Sequence, residues 1–371
     1  MTAHIVVLGA GYSGLLTAKL IAKRTDARVT LVNARDRFVE RVRLHQLAAG
    51  QELEDLPITG LLEGSSAAFK QDRVTGIVPD MRTITLAEGE PLTYDILVYA
   101  LGSTADLESV PGAAEHAFTV TSAEQAAALR TRLENSKTVA VVGGGLTGIE
   151  AATEIAETKP GLKVKLVTGG VFGEALSEKG GKHLRKVFGR LGIDIVDNAV
   201  VKEVAAEGVV LADGKHLEAD TVVWTTGFRV PELARAAGLE CDASGRLAVD
   251  ETLRSVSHPD VYGVGDAAAA RMKTGQELRM ACATGLPSAM QLARSISGAL
   301  VGKPGKPLRF RYFNQCISLG RRDALVQFVR ADDTPVSAVL TGRFAARYKE
   351  TIVRSTVWAQ RHPVLAAAVL P

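Results

Sequence analysis

The sequence predicts an α/β protein made of two parallel-sheet domains and a small carboxyl-terminal segment, and three observations predict it. Residues 5–14, IVVLGAGYSG, and residues 139–150, VAVVGGGLTGIE, each run a β-branched strand into a GxGxxG turn and on into an alanine-rich helix. Each unit continues through a second short apolar strand, residues 28–32 or 163–167, into a meander that itself repeats, at residues 69–102 and 200–227. A further buried strand at residues 261–264 comes after the second unit and closes on Gly265 and Asp266. A lone GxGxxG is weak evidence, but two, each lying between a strand and a helix, mark two dinucleotide sites.

In each turn the first glycine, Gly9 or Gly143, allows the tight bend. The second, Gly11 or Gly145, lets a pyrophosphate approach the backbone, and the third, Gly14 or Gly148, lets the helix pack close to the strand. Two such sites in one chain suggest a resident flavin and a diffusible nicotinamide. The fold class is therefore two Rossmann-like nucleotide-binding domains: an FAD-binding domain at residues 1–106 and 245–302, and an inserted NAD(P)H-binding domain at residues 107–244. Residues 303–371 form carboxyl-terminal strands and a basic amphipathic helix.

In chain order, the strand after the first glycine-turn helix ends at Asn33, where a dinucleotide site usually carries an acid for the adenosine ribose. Asn33 can accept one such bond but brings no charge. Arg35, Arg37, Arg41 and Arg43 follow, suited to a pyrophosphate or to a solvated face. Each meander holds a glycine turn (Gly89 or Gly214), an acid (Asp95 or Asp220) and an apolar strand closing on Gly102 or Gly227. At the matching end of the second unit, Thr168-Gly169-Gly170 offers no carboxylate to repel a 2′-phosphate. Lys179, Lys182 and Arg185 are the nearby cations, so NADPH is expected to serve at least comparably to NADH.

Asp266, just past a strand end, is placed to accept from the hydroxyls of a flavin's ribityl chain. The helix over about residues 284–299 begins near the same point, with its positive end toward the flavin. GKPGKP, residues 302–307, is the linker. Strands with turns at residues 320–323 and 331–335 follow, then a helix over 342–362. On that helix Phe344, Tyr348, Ile352, Trp358 and Ala359 fall on one side, beside a stripe of Arg343, Arg347, Arg354 and Arg361, as an interfacial membrane helix requires. The competing reading packs the aromatic face on the flavin domain or in a homodimer.

Composition bounds the function. The 371 residues suffice for two or three domains, and the net charge of +3 is too balanced for a nucleic-acid binder, so no nucleic acid is expected as a partner. From Lys303 onward, however, twelve lysines and arginines face four acids, a local +8. No run approaches the roughly 20 apolar residues of a membrane span. The amino terminus enters the first strand without a basic leader, so no signal peptide is expected. Three scattered cysteines, Cys241, Cys282 and Cys316, give neither a disulfide framework nor a metal spacing. They point to a reducing cytoplasm, with the inner face of the membrane as the surface for a peripheral helix.

From IVVLGAGYSG through YALGS, VVGGGLTGIEAATEI, TTGF and VYGVGDAA to SLGRRDALVQF and VRSTVWAQRHP, the chain resembles the two-dinucleotide-domain flavoprotein oxidoreductases. Within them it is most similar to the type II NADH:quinone reductases and apoptosis-inducing-factor-like ferroptosis suppressor proteins. The resemblance implies flavin contacts at Gly9, Gly11, Gly14, Asn33, Gly102 and Asp266, and at Val74 through its backbone to adenine. The RVRLHQLAAG stretch adds Arg43, His45 and Gln46. Gly143, Gly145, Gly148 and Gly227 would frame the nicotinamide nucleotide, with Glu150, the catalytic candidate, facing the nicotinamide and flavin rings. Read without the resemblance, Glu150 is a helix-surface carboxylate. ACATGLPSA stands where type II dehydrogenases present a glutamine-rich helix start to quinone, so quinone is inferred from relatives alone.

The expected reaction passes hydride from NAD(P)H to flavin N5 and then to a quinone-like acceptor. No CxxC or CxxxxC pair exists to relay electrons through thiols. The rivals are a sulfide:quinone reductase using Cys282 and Cys316, a reductase of a ferredoxin-like protein or small organic substrate, and a non-enzymatic flavin redox sensor.

Overall fold

Five parallel strands make the first sheet, in the spatial order Val261–Gly263, Ile96–Tyr99, His4–Leu8, Arg28–Asn33, Ala68–Gln71. The computed structural model describes residues 2–369. Every residue of His4–Leu8 is buried, as a strand covered on both faces must be, which is why Ile5–Leu8 reads as an unbroken apolar run. The second sheet repeats the arrangement: Ala117–Phe118, Thr221–Trp224, Thr138–Val142, Lys163–Val167, Asp194–Val196, all parallel. In both, the strand feeding the glycine turn is central. The edge strand of the first sheet, Val261–Gly263, lies in sequence beyond the whole second sheet.

Antiparallel meanders follow the strands Ala68–Gln71 and Asp194–Val196, at Val74–Val78, Thr83–Leu86 and Leu92–Thr93, and at Val201–Ala205, Gly208–Leu211 and His216–Glu218. Thr104–Ala105 pairs antiparallel with Phe228–Arg229, clasping the two closing strands together just past their ends. A third, antiparallel sheet of Asn314–Ser318, Ala324–Val329 and Pro335–Thr341 leads into the helix Gly342–Arg361 and the short helix Pro363–Val369.

The main core packs the helix Tyr12–Arg24 along Cys282–Ala299. The carboxyl-terminal helix joins it by one face, burying Ala345, Val353, Thr356, Val357, Ala359 and Gln360. Its opposite side carries Phe344, Tyr348, Ile352 and Trp358, grouped together as the sequence pattern predicts, and leaves all four exposed. Ala359, assigned to that exposed side from the sequence, is instead fully buried, in the core cluster that also holds Ala366 and Ala367 of the final helix. The ends of the chain are fastened together by Lys19, whose buried ammonium donates to the Leu61 carbonyl and, at 2.7 Å, to that of Gln360. The Gln360 amide in turn donates to the Tyr12 carbonyl at 3.0 Å.

Candidate active site

The two glycine turns are shaped alike. Gly9 and Gly143 take φ of +97° and +124°, conformations that L side chains avoid. A Cβ on Gly14 would overlap the Gly9 carbonyl oxygen, and one on Gly148 would overlap that of Gly143. At Gly11 and Gly145, by contrast, a Cβ would meet nothing within 4 Å, so both turns open onto free space. Gly11 and Gly145 also cap their helices without a side-chain bond, and neither first turn contains an acid. Free amides around an open hollow at a helix N-terminus suit a pyrophosphate.

Asn33, for which the resemblance implies a ribose contact, makes two hydrogen bonds to the backbone of the first turn and the strand end. Its Oδ1 accepts from the Ala10 amide at 2.9 Å and its Nδ2 donates to the Arg35 carbonyl at 2.8 Å, bracing the first turn from outside. Val74 begins the first meander and shares a core cluster with Val6, Leu8 and Val32. In the second domain, Gly227 has φ of +74° and lies against Asp106. The Glu174 carboxylate lies against Gly170, so an acid reaches the strand end from the following loop. Lys182 is paired with Glu178 at 2.5 Å and Arg185 with Asp197 at 3.3 Å, leaving Lys179 exposed beside them.

Asp266 follows Gly265, whose φ is +74°. Its Oδ2 accepts from the Ser103 hydroxyl at 2.7 Å and lies 3.7 Å from Arg41, which itself donates to the Ser103 carbonyl at 2.6 Å. Gly102, with φ of +69°, precedes Ser103, and a Cβ there would meet nothing. Arg43 donates to Glu40, Gln46 and Glu350 at 3.0, 3.1 and 2.7 Å. Arg35 and Arg37 make exposed ion pairs with Glu124 and Asp55. Of the arginine run, Arg41 and Arg43 therefore turn inward to Asp266 and Glu350, and the other two pair at the surface.

The centre of the site is Glu150. It is not a helix-surface carboxylate: it is largely buried, and its Oε1 takes the Lys349 ammonium at 3.0 Å and the Ser318 amide at 2.9 Å. Lys349 also donates to the Cys316 carbonyl at 3.0 Å. Burial opposes charge on both partners, yet each overcomes it in the other: Glu150 is held below the usual carboxylate range and Lys349 above the usual amine range. His45 is buried beside them. Desolvation pushes its pKa down to about 4 despite the nearby Glu150, so the imidazole is neutral at pH 7. Gln46 is buried as well.

Cys282 opens the helix Cys282–Ala299 and Cys316 lies in the third sheet, both within the electrostatic reach of Lys349. Both are free thiols, and burial raises each, Cys316 to about 11, so neither is a thiolate at neutral pH. Cys241 packs elsewhere, in the cluster around Tyr99. Among the described residues no group of histidine, cysteine and acid side chains could hold a metal.

Sequence reasoning missed Lys349, Ser103 and Ser318. For Lys349 a signal existed: it stands in register with Ala345, Val353, Thr356 and Gln360, the spacing of the helix's buried face, where a lone lysine needs a partner.

The profile of the pyridine nucleotide-disulphide oxidoreductases matches residues 5–289. An NADH dehydrogenase-like protein of Mycobacterium tuberculosis is 30% identical over 347 residues, covering 87% of each chain. A demethylphylloquinone reductase of Synechocystis is 26% identical, covering 93% of this chain and 92% of its own. Among solved structures, the sulfide:quinone oxidoreductase of Aquifex aeolicus superposes with a TM-score of 0.84 at 21% identity, over 98% of this chain and 93% of that one.

Proposed function

The chain belongs to the pyridine nucleotide-disulphide oxidoreductase family, and from that premise we propose that it is an FAD-dependent NAD(P)H:quinone oxidoreductase working without a thiol relay. FAD and NAD(P)H are the cofactors, the first held at Gly9, Gly11, Gly14, Gly102 and Asp266, the second at Gly143, Gly145, Gly148 and Gly227. Bound FAD supplies the chemistry of accepting hydride at N5 and passing on two electrons. The residues around it do the rest. The open glycine turns take the pyrophosphates, and Arg41 and Ser103 orient Asp266. The buried Glu150–Lys349 pair keeps a proton on Lys349 beside the electron path. That pair is the observation carrying the reading, since a charged pair kept dry where two nucleotide domains and the third sheet meet suits proton-coupled reduction.

The quinone assignment draws on the named activity of the Synechocystis relative. Cys282 and Cys316, both near Lys349, are what a sulfide:quinone reductase would use, so the test must separate the two. In anaerobic stopped flow, NADH or NADPH bleaches the flavin and a soluble quinone then restores it over many turnovers. A variant with Cys241, Cys282 and Cys316 all changed to Ser keeps most of that activity. Failure of the nucleotides to bleach the flavin rejects the oxidoreductase reading, and loss of turnover at normal flavin content in the triple variant favours a cysteine relay.

The exposed aromatic side of the carboxyl-terminal helix supports a peripheral membrane contact that brings a lipid-soluble acceptor to the site. Phe344 is 73% exposed, and Val364 and Leu365 of the helix Pro363–Val369 are exposed as well. Among the described residues no helix is long and apolar enough to cross a membrane. The protein is expected to float with anionic liposomes at low salt and to detach as salt screens the arginines. Changing Phe344, Ile352 and Trp358 to Ser should abolish flotation while leaving flavin bound. Wild-type protein that stays soluble at low salt and sediments as a dimer would assign the patch to a second copy of the chain.

A further inference from the structure

One helical turn beyond Glu150, the same helix places a second carboxylate that the reaction described above does not use. Glu154 is fully buried, with a side chain of 0% exposure. Its Oε1 accepts from the Gln51 amide, while its Oε2 has no hydrogen-bond partner. Arg321 is the facing cation, but at 3.8 Å it is beyond hydrogen-bonding distance. Its guanidinium lies closer to Glu350, at 3.2 Å, an acid already served by Arg43 and Arg354. The remaining charges facing Glu154 are Glu150 and Glu157, on its own helix, and both repel a second negative charge. Glu157 stands at the outer end of the stripe, accepting the Arg321 backbone amide.

An ionised carboxylate with one oxygen hydrogen-bonded to nothing, in a dry site between two other acids, is penalised, and a proton on that oxygen relieves it. The spacing of four residues sets Glu150 and Glu154 on one helix face as neighbours. Glu157, Glu154 and Glu150 thus follow one another at helical spacings of three and four residues, with Lys349 paired to Glu150 at the inner end.

We propose that Glu154 is the proton reservoir of the reaction, taking a proton from the Glu157–Arg321 surface and passing it through Glu150 and Lys349 to the reduced acceptor. This rests on the quinone reading. Reducing a quinone to a quinol takes two electrons and two protons. Hydride from NAD(P)H supplies both electrons and one proton, so one further proton enters from solvent at each turnover. Glu154 touches neither nucleotide and acts only through Glu150. Burial, outweighing the pull of Arg321, pushes its pKa up to about 7. The sign follows: the proton is held below pH 7 and absent above it.

The test uses the flavin-loaded protein. Infrared difference spectra of the wild type across pH 5.5 to 8.5 should show a protonated carboxyl C=O stretch that disappears through about pH 7, and Glu154→Gln should lack it. Wild-type turnover with excess quinone should fall as pH rises through the same range. Glu154→Gln, which keeps an amide oxygen for Gln51, should turn over more slowly at pH 6, by up to roughly the hundredfold that a placed proton carrier contributes, and its profile should lose that limb. The rate at which NADH bleaches the flavin should be unchanged. Superimposable pH profiles, or a wild type with no carboxyl titrating in that range, would overturn the proposal. If NADH fails to bleach the wild-type flavin, the oxidoreductase reading falls, while the infrared titration still decides the state of Glu154. Should Glu154→Gln fold poorly, Glu154→Asp restores the acid and should recover the titrating limb.

Discussion

Gly14→Ala yields a protein without flavin and with a weakened first domain. The added Cβ overlaps the Gly9 carbonyl oxygen, and Gly9 is itself closely packed, since a Cβ there would meet the Ala100 carbonyl oxygen at 2.5 Å. The helix Tyr12–Arg24 would have to lift from the strand His4–Leu8, opening the core it shares with Cys282–Ala299. Overpacking of this kind costs about 1–3 kcal/mol even where a core can adjust. Gly11→Ala makes the informative contrast. Its Cβ points into open space, so the polypeptide should melt normally and yet lose flavin affinity through obstruction of the approaching pyrophosphate. Flavin absorbance per chain after gel filtration, with thermal melts of both apoproteins, checks the pair. Equal melting temperatures for the two variants would show that the turn relaxes.

Lys349→Met should be the most damaging single change outside the glycine turns. Glu150 would keep the Ser318 amide but lose its cation inside a buried site, and breaking one side of a buried ion pair costs about 3–5 kcal/mol. Because Lys349 also holds the Cys316 carbonyl, the third sheet should loosen with it. Adding Glu150→Gln to Lys349→Met removes the unpaired charge and should recover much of the melting temperature but none of the quinone turnover. Additive losses in the double variant would mean that the two residues act independently.

What could be read from the sequence was local. The glycine turns, the repeated meanders and the strand before Asp266 are fixed by residues a few positions apart, and each appears in the structure where its pattern places it. The site's charged centre is not local. Glu150 finds Lys349 across 199 positions and Ser318 across 168, and a helical period shows which side of Gly342–Arg361 is apolar but not what that side meets. Asn33 shows the opposite difficulty. Its position is motif-defined, yet its amide is used to brace the Ala10 backbone, which a comparison of residue types does not disclose. Thr168-Gly169-Gly170 lacks an acid in sequence, while in space Glu174 supplies one from the next loop. That contact bears against the expected ease of NADPH binding.

The fastening of Lys19 to Gln360 has a consequence for synthesis. Lys19 emerges early, but its buried ammonium has no acceptor from the helix Gly342–Arg361 until Gln360 is made, 341 residues later. At roughly 5–20 residues per second that is a wait of about 20–70 s. The first sheet meanwhile lacks its edge strand Val261–Gly263, whereas every strand of the second sheet is already out by Trp224. The second sheet can therefore fold on the ribosome while the first waits for Val261–Gly263 and Gln360. During that interval the apolar faces of Tyr12–Arg24 and Ile96–Tyr99 are the surfaces that chaperones would need to shield.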